Sequence, residues 1–283
     1  MIRLDAATVL LQWAVGGLAF LWVTTRRREV GLGYGWLLRG TYGLMATGAF
    51  VVGLAFDTVP LREVASLLVV AASAVALAVS ILRRRAGVRG QAALERRRSA
   101  RVAAMTGVDR EERRFDTSAP EFPPVLDVVA PLIGVIGLVA AGVDAGDPAL
   151  LSIARVVVGA AFLGAVSDAM LLGHWYLVQP GLARAPILEL VRLTAAIWPA
   201  ELLVLVWPTG MFSVLSGSID DGYNGLLGWF WIACALTTIG LLAVTRAALR
   251  ERQYSAVMAA TGLLYLAILT AFGMDLVARA VLA

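Results

Sequence analysis

Residues 149–177 read ALLSIARVVVGAAFLGAVSDAMLLGHWYL, a run of 29 positions in which Arg155, Asp168 and His174 are the only charged or imidazole side chains. Apolar residues occupy consecutive positions rather than alternate ones, so the run is not a half-buried strand. As a helix rising 1.5 Å per residue it would reach about 43 Å. That exceeds the roughly 30 Å hydrocarbon core of a bilayer. Lipid offers the backbone no hydrogen-bond partner, so only helices and closed barrels cross it, and this pattern selects the helix. The stretch therefore sets the fold class as all-α, a polytopic integral membrane helical bundle.

Working outward, seven further segments are long and apolar enough to cross: 7–24, 41–56, 64–82, 125–143, 187–207, 226–245 and 254–278. The second is short. Together they predict about eight transmembrane helices in a single transmembrane domain spanning 1–283. Composition agrees: 60% of the 283 residues are hydrophobic, 16% are charged and the mean hydropathy is +0.81. Soluble domains average about 45–50% apolar and about 25% charged. The start, Met1 to Asp5, lacks the basic region and small-residue cleavage site of a removed signal peptide, so the first span is expected to stay.

The arginines set the expected orientation. Arg26, Arg27, Arg28 and Arg39 follow span 1, and eleven arginines lie between Arg83 and Arg114. Arg184 separates spans 5 and 6, and Arg246, Arg250 and Arg252 separate spans 7 and 8. The opposite connections carry Asp57, Glu63, Asp144, Asp147, Asp220 and Asp221 with one arginine, Arg62. Basic flanks stay cytoplasmic. Both termini are thus expected outside a cytoplasmic membrane, which requires an even number of passes.

The basic cytoplasmic loop 83–124 sets its eleven arginines against six acids and ends in the proline-rich stretch Pro120–Pro124. It reads first as an anchor on anionic lipid, where each basic residue contributes about 1 kcal/mol. Docking of a partner subunit is the other reading. No aromatic residue interleaves its arginines, so nucleic acid is not an expected partner.

Several chemistries are excluded outright. One cysteine allows neither an intrachain disulfide nor a thiolate-only metal site, and one histidine excludes bis-histidine haem ligation within one chain. All 24 basic residues are arginine, so a retinal Schiff base, a pyridoxal enzyme and a Walker-type phosphate loop are absent. No metal site is expected.

Ionisable residues inside a span cost roughly 2.5–3.5 kcal/mol each and usually face the bundle interior. Three have inexpensive readings. Asp127 in a first turn complements the helix dipole, Asp275 near the outer end of span 8 is expected to reach water, and Arg155 is expected to snorkel outward. Asp168 is different, because it is too short to snorkel and shares the stripe Ala160–Gly164–Asp168, a small-residue face suited to close helix packing. His174 and Tyr176 follow on the same helix, which is expected to end at Pro180 and Gly181. Span 6 brings Glu189 and Arg192, three apart and able to pair. It also brings Glu201, two residues past Pro199, on one face with Thr194 and Trp198. The short 179–186 connection makes spans 5 and 6 antiparallel neighbours. The expected ligand- or proton-binding set is therefore Asp168, His174, Tyr176, Gln179, Glu189, Arg192 and Glu201. Most of it would converge on one pocket near the cytoplasmic leaflet.

Such a pocket suits a lipid-soluble ligand, a quinone first among them, held by a membrane redox-complex subunit active in electron transfer. His174 or Tyr176 would bond a carbonyl, and Asp168 with Glu189 would exchange protons. In size and topology the chain is similar to the quinol-oxidising anchor subunits of some periplasmic oxidoreductases, with no shared motif. A proton-coupled transporter or channel, with Glu201 and Asp168 as carriers, is the second reading. An accessory or assembly subunit is the third. One histidine with two buried acids permits an intramembrane enzyme and does not require one.

Overall fold

A computed structural model describes residues 2–88, 118–179, 182–208, 210–251 and 253–283, with isolated positions between 93 and 116. Most of the basic loop, and Pro180 and Gly181, thus lie outside the described residues. The described chain is helical, without strands. In order come α1 (Ala6–Thr25), α2 (Leu32–Ala55), α3 (Pro60–Leu82), α4 (Leu126–Asp144), α5 (Ala149–Val178), α6 (Ala185–Val206), the short α7 (Met211–Leu215), α8 (Leu226–Ala248) and α9 (Tyr254–Leu282). Seven of these are long and apolar enough to cross a membrane. The 22-residue α6 is excluded from that set by its charges, Glu189, Arg192 and Glu201.

Local chemistry marks several starts. The Asp5 carboxylate caps α1 by accepting from the backbone N–H of Ala7 and Thr8 at 3.1 and 3.0 Å. Pro60 opens α3 where its missing donor costs nothing. Before α8, Gly225 adopts φ +82, and Asp221 accepts from Tyr223, Gly225 and Leu227 N–H at 2.9, 2.8 and 2.9 Å.

The second helix begins at Leu32, nine residues before the span expected at 41–56. Gly33, Gly35, Arg39 and Gly40 depress the local hydropathy, yet Tyr34, Gly35, Leu38, Arg39 and Tyr42 are all buried. Arg39 is therefore a residue of the bundle and not a flanking anchor.

Two helices form the centre. α1 packs against α2, α4 and α5, while α5 also contacts α6 and α9. They cross where Gly16 meets Ala160 and Gly164, so closely that a Cβ on either glycine would collide with the facing backbone. The small-residue stripe of α5 is thus a close-packing face. Around this centre, Leu44, Leu132 and Leu269 are 74%, 64% and 68% exposed. Apolar exposure of this extent suits lipid contact and not water.

The two ends of the bundle differ in charge. One carries Arg26, Arg27, Arg28, Arg83 and Arg184. The other carries Asp57 and Asp144, both within 4 Å of Arg3. The start of α1 and the end of α9 share that acidic end, where Arg279 donates to the Arg3 carbonyl at 3.2 Å.

Candidate functional site

Buried polar side chains form a series of clusters running the length of the bundle. At the basic end Arg39 and Asp127, 2% and 3% exposed, make a bidentate pair at 2.7 and 2.8 Å. Thr25 donates to the same carboxylate at 2.8 Å, and the Arg39 guanidinium lies 4.2 Å from the Phe122 ring centre. Asp127 does more than complement a helix dipole; it neutralises a buried arginine.

Asp168 sits roughly 15 Å in from the Val178 end of α5, counted at 1.5 Å per residue. It is wholly buried, and Tyr42 donates to its Oδ1 at 2.5 Å. The Tyr34 hydroxyl approaches its backbone carbonyl oxygen at 3.4 Å, and Oδ2 is buried with no partner among the described residues. Gly17 makes this possible, because a Cβ there would occupy the Tyr42 ring. The next residue back, Ser167, accepts from the Trp13 indole at 2.8 Å.

Toward the acidic end, Glu201 is fully buried and neither of its carboxyl oxygens has a hydrogen-bond partner among the described residues. Its charged neighbours are Asp275 and Arg279. Those two pair at 2.8 Å along α9, and Arg279 also donates to Gln12. Gly159 leaves the room, since its Cβ would stand 2.5 Å from Gln12 Nε2 and 3.3 Å from Asp275 Oδ1. Nearer the surface, Arg62 bridges Asp5, Glu63 and Thr8.

Two inexpensive readings from the sequence are overturned here. Asp275 does not reach water, because the Arg279 and Gln12 side chains enclose it. Arg155 does not snorkel outward; it is 1% exposed and donates to the Val204 carbonyl at 2.7 Å.

Nor do the residues expected to share a cytoplasmic pocket meet. Asp168 faces α1 and α2, whereas His174 is exposed on the outside of α5, with Nδ1 3.3 Å from the Tyr265 hydroxyl. Helical rotation explains this, since six positions turn the side chain through about 600°, which leaves it about 120° round the helix from Asp168. Tyr176 is buried and donates to the Ala183 carbonyl, fastening the α5–α6 turn. Gln179 accepts from the Trp175 indole at 3.0 Å. Glu189 pairs with Arg26 and Arg27, both at 2.6 Å, in place of Arg192, which points outward. Thr194 bonds its own helix and Trp198 donates to the Ala235 carbonyl, so of that face of α6 only Glu201 keeps unspent polar atoms.

Tyr34, Tyr42, Gln12 and Arg279 join this polar core without having been singled out from sequence, and Arg39 joins it in place of the flanking role expected of it. Two signals were readable: the i, i+4 spacing of Asp275 and Arg279, and Tyr34, Leu38 and Tyr42 at i, i+4, i+8. No family model matches this chain, and neither the curated proteins nor the solved structures contain a match.

Proposed function

We propose that this protein crosses a cytoplasmic membrane eight times, with both termini outside, and that it carries protons through the bundle by way of Asp168 and Glu201. For the eighth pass, α6 has 22 residues and reaches about 33 Å, sufficient for the hydrocarbon core. Of its charges, Glu201 is enclosed and Glu189 is paired. For the orientation, the arginine-bearing end is the cytoplasmic one by the positive-inside rule. The 83–124 loop is then placed to lie on anionic lipid.

The observation that carries the functional reading is a pair of fully buried carboxyl groups, on adjacent helices, with three oxygens lacking any partner among the described residues. Ionising either in place would strand a charge in a low-dielectric interior, at a cost of several kcal/mol. Each therefore exchanges a proton only as a neighbour responds: the Tyr42 hydroxyl at Asp168, and Arg279 at Glu201. Along the helix axes the two acids stand about 9 Å apart. The ion-paired clusters at Arg39–Asp127 and Arg62–Asp5 lie beyond them toward the two surfaces.

The test is proton uptake into vesicles that hold the purified protein and a pH-reporting dye, driven by an imposed potential. Wild type is expected to acidify the lumen well above protein-free vesicles. Asp168→Asn and Glu201→Gln should each lower the rate about tenfold or more while melting near the wild-type temperature, as removal of a proton carrier requires. Wild-type rates in both variants would sink the proposal.

A second reading keeps His174. An imidazole exposed on the outer face of a membrane helix beside Tyr265 suits a quinone-like ligand bound from the lipid, in a subunit of a redox complex. Solvent extraction of the same preparation decides it: a retained quinone lost in His174→Ala favours this reading, and bulk phospholipid alone removes it.

A further inference from the structure

The start of α2 forms a recess at the basic end of the bundle in which one buried arginine nitrogen is left unpaired among the described residues. It is lined by Thr25, Arg28, Gly31, Gly35, Arg39 and Phe122, among others, and its volume is about 20 Å³. That is room for one water-sized guest. Three independent features converge on it.

The first is a helix terminus. The opening N–H groups of a helix lack intrahelical partners and carry partial positive charge. Gly31, the residue before α2, has no side chain to cap them. The second is Arg39. It is 2% exposed and spends Nε and Nη2 on Asp127, but Nη1 is buried with no hydrogen-bond partner among the described residues. Because a helical side chain leans toward its N-terminus, the guanidinium folds back over Gly35. A Cβ at position 35 would stand 2.6 Å from Nη1. The third is Arg28 at the rim, 44% exposed and 3.0 Å from Glu121.

We infer that this recess binds one small monovalent anion of halide size, held between Arg39 Nη1 and the first turn of α2. The charge count limits the valence. Arg39 and Arg28 are each matched by one carboxylate, Asp127 and Glu121, so the net attraction comes from the helix terminus, about half an elementary charge. A dianion would be under-compensated, and an oxyanion the size of phosphate would not fit. This site does not rest on the proton-carrier reading, and it stands or falls without any transport measurement.

The probe is chloride, titrated against gluconate at constant ionic strength so that general screening is matched, with the melting temperature of the full-length purified protein as readout. A saturable stabilisation specific to chloride is expected. Arg28→Gln, which leaves Glu121 unpaired at the rim, should raise its midpoint concentration about two- to fivefold, the scale of a solvent-exposed charge contact. Gly35→Ala, which displaces Nη1, should abolish it. A rise shared by gluconate, one that never saturates, or one unchanged in Arg28→Gln would overturn the inference. Should the alanine variant fail to fold, Arg28→Gln still decides the matter. In crystals grown with bromide, an anomalous peak beside Arg39 Nη1 supports the site, and a water alone there refutes it.

Discussion

At the scale of single residues, the polar core is organised by what each side chain meets on another helix. Asp168 is the clearest case. Its Oδ1 has one partner, Tyr42, and its Oδ2 has none. Tyr42→Phe would leave the whole carboxyl without a hydrogen bond in a dry interior. A buried acceptor stranded in this way costs about 1–3 kcal/mol. The melting temperature of Tyr42→Phe should fall accordingly. Asp168→Leu in the Tyr42→Phe background should recover part of the loss, because both polar partners are then gone. No recovery in the double variant would mean that the two side chains are not energetically coupled. Asp168 itself was legible in the sequence as a protein-facing acid, since no exposed position suits a short carboxylate at that depth. Tyr42 was not, because its role depends on the gap that Gly17 leaves in a different helix.

At the scale of elements, the hydropathy pattern located the long apolar helices and failed where a helix pairs its charges internally. The opening of α2 was hidden by Arg39, whose partner Asp127 lies 88 residues away in α4. Connections are governed by more local forces, and there pH offers a handle. Burial acts to raise the Asp221 carboxyl, but hydrogen bonds from the Gly225, Tyr223 and Leu227 N–H groups prevail and hold it below the ordinary carboxylate range. A carboxyl lowered by folding stabilises the native state above its unfolded value, about 3.9, and that contribution is lost as pH falls through the lowered native value. Asp221→Asn should therefore melt below wild type at about pH 6, and the gap should narrow as the pH falls below about 3.9 and through the lowered native value. A gap independent of pH would show that the charge at 221 contributes nothing to the turn before α8.

At the scale of the whole molecule, segregation of charge between the two ends of the bundle is the dominant feature. It leads to a labelling experiment that needs only one prior change, Cys234→Ser, since Cys234 is the sole cysteine. In that background, Ser118→Cys, at the basic end, should react with an impermeant maleimide only after cells are opened. Ser218→Cys, in the exposed connection before α8, should react in intact cells. Reversed reactivity would invert the proposed orientation, and equal reactivity on one side would remove a pass from the count.

Membership of the all-helical membrane class followed from composition and from the unbroken apolar runs. Both are properties of the chain taken alone, because transfer into lipid depends on each segment's own hydrophobicity and backbone bonding. The close-packing face Ala160–Gly164–Asp168 was likewise written in one helix. Which polar groups meet was decided only by tertiary structure. Asp275 and Arg155 looked able to reach water when each helix was considered by itself, and packing closed over both. His174 and Asp168 looked like neighbours along the chain, and helical rotation left one exposed on the outside of α5 and put the other against Tyr42. A buried charge is stabilised by the group opposite it, and that group belongs to another helix whose rotation and depth no single segment encodes.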